Sequence, residues 1–198
     1  MLIAQARMRT GSQAGVTILE VLVTIVILAF GVLGLAGLQV RVQAMEFESY
    51  QRAQAILLLS DMVERLQANS GSAVSYVSAG GSSYGTGDNQ PASCAGIAAR
   101  AERDVCEWSN ALKGAAESSG GSVVGAMIGA RGCVEQLQAP NPGAGVCTPG
   151  VYRVSVAWQG LQATTVPNQA CGAGNYGASD AQRRALSTNV TVALPDCV

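Results

Sequence analysis

The regular pattern of the chain begins with an apolar segment, residues 21–38, in which eighteen consecutive positions carry no charge. At about 1.5 Å per helical residue, this segment would be about 27 Å long, close to the roughly 30 Å of a bilayer's hydrocarbon core. Apolar residues then recur at three- and four-residue steps up to Leu66. We therefore predict one helix from about Val16 to about Ala68, with a membrane-spanning first half and an amphipathic second half that packs on a domain.

The amphipathic half predicts both the charge pairs and the packed face of this helix. Glu48 with Arg52, and Asp61 with Arg65, stand four residues apart, the spacing at which opposite charges meet on a helix surface. Asn, Ser and Gly at residues 69–71 are expected to end the helix. The apolar residues 56–59 are expected to be buried, and the packed face is expected to carry Val42, Met45, Ser49, Ala53, Ile56, Val63 and Leu66.

The rest of the chain predicts a second helix and a small sheet, which gives an α+β fold with the long helix laid on antiparallel strands. The helix is expected over about residues 96–117, with its acidic side chains Glu102, Asp104, Glu107 and Glu117 on the solvated face. Its apolar face would carry Ile97, Ala101, Val105, Trp108, Leu112 and Ala116. Strands are expected at residues 122–128, 132–137, 151–158 and 186–194. An exposed irregular loop with room for one short element is expected at residues 70–93, and turn-rich loops are expected at residues 139–143 and 163–181.

Charge and residue types argue against nucleic-acid binding and against an enzyme. Only 13% of the residues are charged and the net charge is -1, so no basic surface for nucleic acid is expected. The chain has no histidine, no phosphate-binding loop and no Gly-x-Ser-x-Gly motif. We therefore expect no catalytic residue, no bound metal and no cofactor.

Six cysteines lie beyond the apolar segment, without a Cys-x-x-Cys pair. This pattern favours disulfides over zinc and places the domain in an oxidising compartment. Six cysteines allow fifteen pairings. Among them, Cys94 with Cys106 would clip the start of the second helix, and Cys133 with Cys147 would brace a hairpin.

Glu20 is the one ionisable residue at the start of the apolar segment. An unpaired charge there costs several kcal/mol, and no cation lies nearby in the sequence. The partner of Glu20 is therefore expected to be a new chain terminus or a group on another molecule. Further along, Gly31, Gly34 and Gly37 are three residues apart, a spacing that allows close helix approach, although tolerated transmembrane glycines would give the same pattern.

The sequence Gly15-Val16-Thr17-Ile18-Leu19-Glu20, followed by the apolar helix, resembles the class III signal of type IV pilins and pseudopilins. The resemblance implies that prepilin peptidase cuts between Gly15 and Val16 and methylates the new amine of Val16. Glu20 would then pair with the terminal amine of a neighbouring subunit. Val16 stands where the family usually has Phe.

The resemblance also implies a division of the chain. Residues 1–15 would be the leader, 16–39 the transmembrane and polymerisation half of the helix, 40–69 its amphipathic half, and 70–198 a disulfide-stapled head. Pilins often close a C-terminal loop with a disulfide, and Cys171 with Cys197 is similar to such a pair.

Within the superfamily, residues 34–39, 131–133 and 152–160 resemble PilV-type minor pilins. The implied function is pilus assembly at or near the fibre tip, with roles in adhesion and motility. The implied partners are other minor pilins, the major pilin, prepilin peptidase, the inner-membrane assembly platform and a tip adhesin. The chain would cross the bacterial inner membrane once, with a cytoplasmic N-terminus and a periplasmic head, before it enters the extracellular fibre.

Three other interpretations remain open from the sequence. A minor pseudopilin of type II secretion or DNA uptake would share the same N-terminal motif. A signal-anchored periplasmic enzyme or binding domain would keep its leader. An ordinary secretory signal could end at Ala36, before Gly37, although Glu20 and the length of the apolar segment fit that interpretation poorly.

Overall fold

The computed structural model describes residues 15–78, 81–114, 118–119, 122–123, 127–143 and 145–194. The chain separates into two compact units, one reaching Ala44 and the other starting at Met45. Helix α1, Ile18–Ala68, contributes residues to both units and has 51 residues. The single long N-terminal helix predicted from the hydropathy pattern is thus confirmed, with its first residue two positions later than expected.

In the first unit, α1 is apolar and uncovered. Every residue from Gly15 to Gln43 is exposed. The most apolar eighteen-residue window of the helix has a mean hydropathy of 2.7, and none of it is buried. The helix is therefore long and apolar enough to cross a membrane.

In the second unit, α1 packs on the domain through a face that differs from the predicted one. The buried residues recur at steps of three and four and are Gln51, Ala55, Leu59, Met62 and Leu66. Of the seven predicted positions, only Leu66 is buried and Val63 is half-buried, whereas Ile56 is 50% exposed. Burial of the whole 56–59 run was also wrong, because Leu57 is 63% exposed. Four consecutive apolar residues point to several sides of a helix, so hydropathy alone does not choose the packed side.

The second unit contains the predicted antiparallel sheet. Four strands form it in the order β1-β4-β5-β6, and β2 and β3 form a separate two-stranded hairpin. The strands are β1 Tyr84–Gly85, β2 Ser118–Ser119, β3 Ser122–Val123, β4 Ile128–Gln138, β5 Gly150–Gln159 and β6 Arg183–Val192. The predicted strands at 151–158 and 186–194 correspond to β5 and β6, and the one at 132–137 is the middle of the longer β4. The expected strand at 122–128 was wrong as one element, because β3 ends at Val123 and β4 begins at Ile128.

Helix α2, Arg100–Leu112, is shorter than predicted. Its apolar face is as expected, since Ala101, Val105, Trp108 and Leu112 are buried. Ile97 precedes the helix, and Ala116 lies outside the described residues.

The segment after α1 was predicted as an exposed loop with room for one short element, and it contains two, a 3-10 helix, Ser70–Tyr76, and the short strand β1. Tyr76 is fully buried. The buried phenol therefore joins the core instead of facing water.

Trp108 joins α1, α2 and the sheet in one core. Its ring packs edge-on to Tyr84, with centroids 6.1 Å apart, and its Nε1–H donates to the Leu58 carbonyl at 2.7 Å. The core around it contains Met62 and Leu66 of α1 together with Tyr152, Val154 and Val156 of β5. One buried indole thus fixes the amphipathic half of α1 against both other elements.

The second half of strand β5 is buried on both faces and not only on the face towards the helix. Ser155 and Ala157, on the second face, are 1% and 0% exposed. Cys171 and Tyr176, from the long loop before β6, pack there with Cys133 and Ala157. The turn-rich loop therefore forms a second layer over the sheet.

The disulfides confirm one predicted pairing and correct two. Cys94 bonds to Cys106, as expected from their spacing, with Cα atoms 5.9 Å apart. Cys133 bonds to Cys171, so the pairs Cys133–Cys147 and Cys171–Cys197 were wrong. The reason is the second layer: Cys133 lies on the face of β4 that the Cys171 loop covers. Cys147 is also disulfide-bonded, and Cys197 lies outside the described residues.

Gly132 tests the close packing of α2 on the sheet. A Cβ at this position would contact the Trp108 ring and lie 2.7 Å from Leu112 Cδ1. Gly132→Ala is therefore expected to lower the free energy of unfolding by about 1–3 kcal/mol, since an overpacked core must shift. Chemical unfolding of the full chain in detergent measures the change. Gly96→Ala is the matched control, because nothing lies within 4 Å of its Cβ position; equal stability of the two variants would contradict this packing.

Candidate functional site

The first turn of α1 is fixed by Thr17. Its Oγ1 accepts a hydrogen bond from the Glu20 backbone N–H at 3.3 Å, and its carbonyl accepts from the N–H groups of Glu20 and Val21. Thr17 and Glu20 have the Ser/Thr-x-x-Glu spacing of a capping box, in which the N-cap side chain satisfies a free N–H of the first turn. Thr17 was predicted as part of the motif but not as the cap of the helix, although the capping-box spacing was visible in the sequence.

The peptide bond between Gly15 and Val16 lies just before the helix. Both residues are exposed, and neither belongs to a helix or strand. A peptide bond outside regular structure, with no side chain on Gly15, is accessible to hydrolysis. The rest of the predicted leader, residues 1–14, lies outside the described residues.

Glu20 places a carboxylate in the first turn of α1. Negative charge is favourable there, because the free N–H groups give the helix start a partial positive charge. Among the residues that the structure describes, no cation forms an ion pair with Glu20. Hydrolysis before Val16 would create an ammonium close to this turn, in addition to the positive helix end. The site can therefore bring together one carboxylate and one new ammonium, within a chain or between chains.

Gly31, Gly34 and Gly37 interrupt the side chains of the exposed apolar helix. Nothing lies within 4 Å of the Cβ position of any of the three. Steps of three residues turn by about 300°, so each glycine lies about 60° around the helix surface from the one before it. Such a spacing lets another helix approach the backbone closely.

In the second unit, Arg65 ties the end of α1 to α2. Its guanidinium lies 2.9 Å from Asp61, 3.1 Å from Asp104 and 2.7 Å from Glu107. The predicted Asp61–Arg65 pair is confirmed. Asp104 was wrongly placed on the solvated face: its side chain is only 12% exposed, because partners from α1 and the 3-10 helix cover it.

Two groups of this cluster, Tyr76 and Arg65, have pKa values well above neutral pH. Tyr76 Oη donates to Asp104 Oδ2 and accepts from Asn69 Nδ2. Burial, followed by the hydrogen bond to Asp104, raises the pKa of Tyr76 to about 12. Burial alone would lower the pKa of Arg65, but hydrogen bonds to Glu107 and Asp61 raise it above its usual value. The Tyr76 hydroxyl therefore stays a donor and the Arg65 guanidinium stays charged around neutral pH.

Glu48 pairs with Arg184 of β6 at 3.1 Å, not with Arg52 as the four-residue spacing suggested. Arg184 is held in reach by Thr164 and the Gln162 carbonyl, so a cation is already fixed beside Glu48. Arg52 is exposed and makes no ion pair with any described residue. A long-range partner thus outcompetes the local one.

Comparisons with protein-family models, with curated proteins and with solved structures find no match.

Arg65 is expected to contribute more to stability than an exposed ion pair. Arg65→Met should lower the free energy of unfolding by about 1–3 kcal/mol, because the nearly buried Asp104 carboxylate loses its nearest cation and keeps only the Tyr76 hydroxyl and the more distant Arg100, 3.8 Å away. The matched control is Arg153→Met, which breaks a more exposed pair with Glu135 and should cost less than about 1 kcal/mol. Chemical unfolding at neutral pH compares them. A smaller loss for Arg65→Met than for Arg153→Met would contradict the role of the cluster.

Proposed function

We propose that this chain is a minor pilin of a type IV pilus, a structural subunit that a membrane-spanning helix delivers and that the same helix inserts into a fibre. The observation that carries the proposal is the start of α1, where an accessible glycine precedes a capped first turn that contains Glu20 and continues into an uncovered apolar helix. The motif alone points to the pilin superfamily, and this geometry supports its use.

The uncovered apolar surface of the first unit needs a cover both before assembly, in the membrane, and after it, in the fibre. Burying a Val, Leu, Ile or Phe side chain contributes about 1.5–3 kcal/mol relative to water, and many such side chains are exposed here. A bilayer covers them before assembly, and the helices of other subunits cover them in a fibre. Apolar burial is similar in both places, so it gives little preference for the fibre.

Glu20 favours the fibre over the bilayer, which apolar burial alone does not. In a bilayer its unpaired charge costs several kcal/mol. In a fibre, the methylated ammonium of Val16 on a neighbouring subunit meets this carboxylate and offsets that cost. Processing at Gly15 and assembly are therefore linked, because the leader must leave before the ammonium exists.

The proposed localisation and partners follow from this sequence of events. The chain crosses the bacterial inner membrane with its N-terminus in the cytoplasm, where prepilin peptidase acts. The head forms its disulfides in the periplasm and later faces the exterior on the fibre. Assembly involves the inner-membrane platform, other minor pilins, the major pilin and a tip adhesin.

The N-terminus of the mature chain tests processing directly. Intact-mass and N-terminal sequencing of the protein from membranes should give N-methylvaline at Val16. Gly15→Val should retain the leader, because a bulky residue at the cleavage position blocks the peptidase, whereas Gly11→Val should be processed normally. An intact Met1 or a start at Gly37 would instead indicate an anchored or secreted periplasmic domain.

Glu20→Ala tests the charge pairing. The variant should insert into the membrane normally, since it removes a charge from the apolar helix, but its amount in sheared pili should fall by about tenfold or more. Immunoblots of membranes and of sheared fibres measure both quantities. Glu46→Ala, which removes an exposed carboxylate from the same helix, is the matched control. Wild-type amounts of Glu20→Ala in fibres would refute the pairing.

The same strains separate a pilus from a pseudopilus. A minor pseudopilin of type II secretion or DNA uptake would share the N-terminal site, so processing does not distinguish them. Loss of pili with normal secretion and DNA uptake in the Glu20→Ala strain supports the minor pilin. Loss of secretion or DNA uptake with normal pili supports the pseudopilin.

A further inference from the structure

The second unit has a cleft of about 470 Å³ between α1, the β5–β6 end of the sheet and the loop that follows β5. Small-molecule sites commonly have volumes of roughly 300–1,000 Å³. Both apolar and polar residues line the cleft. The apolar lining, called the floor below, includes Trp158, Pro167, Ala185 and Leu186. The polar lining, called the rim below, includes Glu48, Ser49, Arg52, Thr164, Thr165 and Arg184.

Arg184 fixes one wall of this cleft. Its guanidinium donates to Thr164 Oγ1 at 2.7 Å, to the Gln162 carbonyl at 2.8 Å and to Glu48 Oε1 at 3.1 Å. Glu48 Oε1 also accepts from the Leu161 N–H at 3.2 Å. Gly160 makes room for this arrangement, since a Cβ there would lie 2.7 Å from Arg184 Cζ.

Arg183, the neighbour of Arg184 in β6, lies on the other face of the sheet and fixes the later part of the loop. Its side chain is 3% exposed and donates to the carbonyls of Pro167, Gln169 and Cys171. Its Nε lies 3.1 Å from Asp180 Oδ2, in an ion pair that lacks hydrogen-bond geometry. These two consecutive arginines of β6 thus fix two stretches of the loop: Arg184 binds residues 162 and 164, and Arg183 binds residues 167, 169 and 171.

Several polar groups on the rim are left for a ligand. Arg183 is paired with Asp180 and Arg184 with Glu48, so Arg52 is the lining cation without an ion pair among the described residues. The second carboxylate oxygen of Glu48, Oε2, and the hydroxyls of Ser49 and Thr165 make no hydrogen bond within the part of the chain that the structure describes. The cleft therefore offers one unpaired cation, one free carboxylate oxygen and two hydroxyls above an apolar floor.

We propose that this cleft binds an acidic sugar, that is, a pyranose ring that carries one carboxylate. A guanidinium binds a carboxylate through paired, charge-assisted hydrogen bonds, which assigns the carboxylate to Arg52. The sugar hydroxyls donate to Glu48 Oε2 and exchange hydrogen bonds with Ser49 and Thr165, while the C–H face of the ring covers the apolar floor. Binding at this site does not depend on the assembly function of α1.

The two tryptophans of the chain provide the test, because both belong to the core but only Trp158 lines the cleft. The full chain, with ¹⁵N-labelled indoles and in detergent micelles, is titrated with glucuronate. The Trp158 indole resonance should shift and saturate, and the Trp108 resonance should stay in place. Arg52→Gln should weaken binding about tenfold, as expected for loss of a charge-assisted contact. Arg41→Gln, an exposed arginine of the same helix outside the cleft, should bind like the wild type.

Two further ligands define the chemistry of the site. Glucose lacks the carboxylate and acetate lacks the ring, so each should bind at least about tenfold more weakly than glucuronate. An unchanged Trp108 resonance in Arg52→Gln shows that the fold is intact. The proposal is overturned if Trp158 does not respond to glucuronate or if Arg52→Gln binds as tightly as the wild type. Acetate or glucose matching glucuronate would overturn it equally, because the cleft would then recognise only a charge or only a neutral sugar.

Discussion

An apolar helical surface that the chain leaves uncovered is the constraint on which the rest of the molecule depends. In the first unit, Phe30 is 72% exposed and Leu28 66% exposed, and no charged residue interrupts the helix between Glu20 and Arg41. The hydrophobic effect would drive association of this surface in water. The unit is therefore stable only when lipid or other apolar helices cover it. As long as this helix is retained, every function considered for the chain must supply such a cover.

The second unit has the opposite problem, since it must build a core from a sequence with 24 glycines and 5% aromatic residues. Two of its aromatic residues, Trp108 and Tyr76, lie where the helices and the sheet meet. Trp108 packs over Gly132 and bonds to the Leu58 carbonyl of α1, and Tyr76 bonds to Asp104 of α2. Disulfides and the Arg65 ion pairs add to this small core. The second unit is thus held by a few specific contacts rather than by a large apolar volume.

The sequence predicted helices and strands whose apolar residues recur with a clear period, and it predicted contacts between residues that are close in the sequence. The extent of α1, strands β5 and β6, the Asp61–Arg65 pair and the Cys94–Cys106 disulfide are examples. At the candidate site, Glu20 and Gly15 were evident from their residue types, and the capping role of Thr17 could have been found from the capping-box spacing.

What the sequence did not predict depended on contacts between distant residues. Gln51 is buried on α1, and a polar side chain gives no hydropathy signal for that position. Asp104 and Tyr76 are buried because they bond to each other across 28 residues of sequence. Cys133 pairs with Cys171 because a loop crosses one particular face of β4, and residue spacing does not reveal which face is crossed.

The loop between β5 and β6 has consequences for function as well as for stability. Its composition is typical of an irregular surface loop, yet the Cys133–Cys171 disulfide, the buried Arg183 and the Arg184–Glu48 pair fix it at three separate points. Ordering a loop of this length on binding would cost about 1–2 kcal/mol for each backbone residue that becomes fixed. Because these contacts already hold the loop, a ligand in the adjacent cleft would not have to offset that cost. The second layer over the sheet therefore gives this unit a prearranged surface, while the uncovered helix of the first unit remains committed to lipid or to other helices.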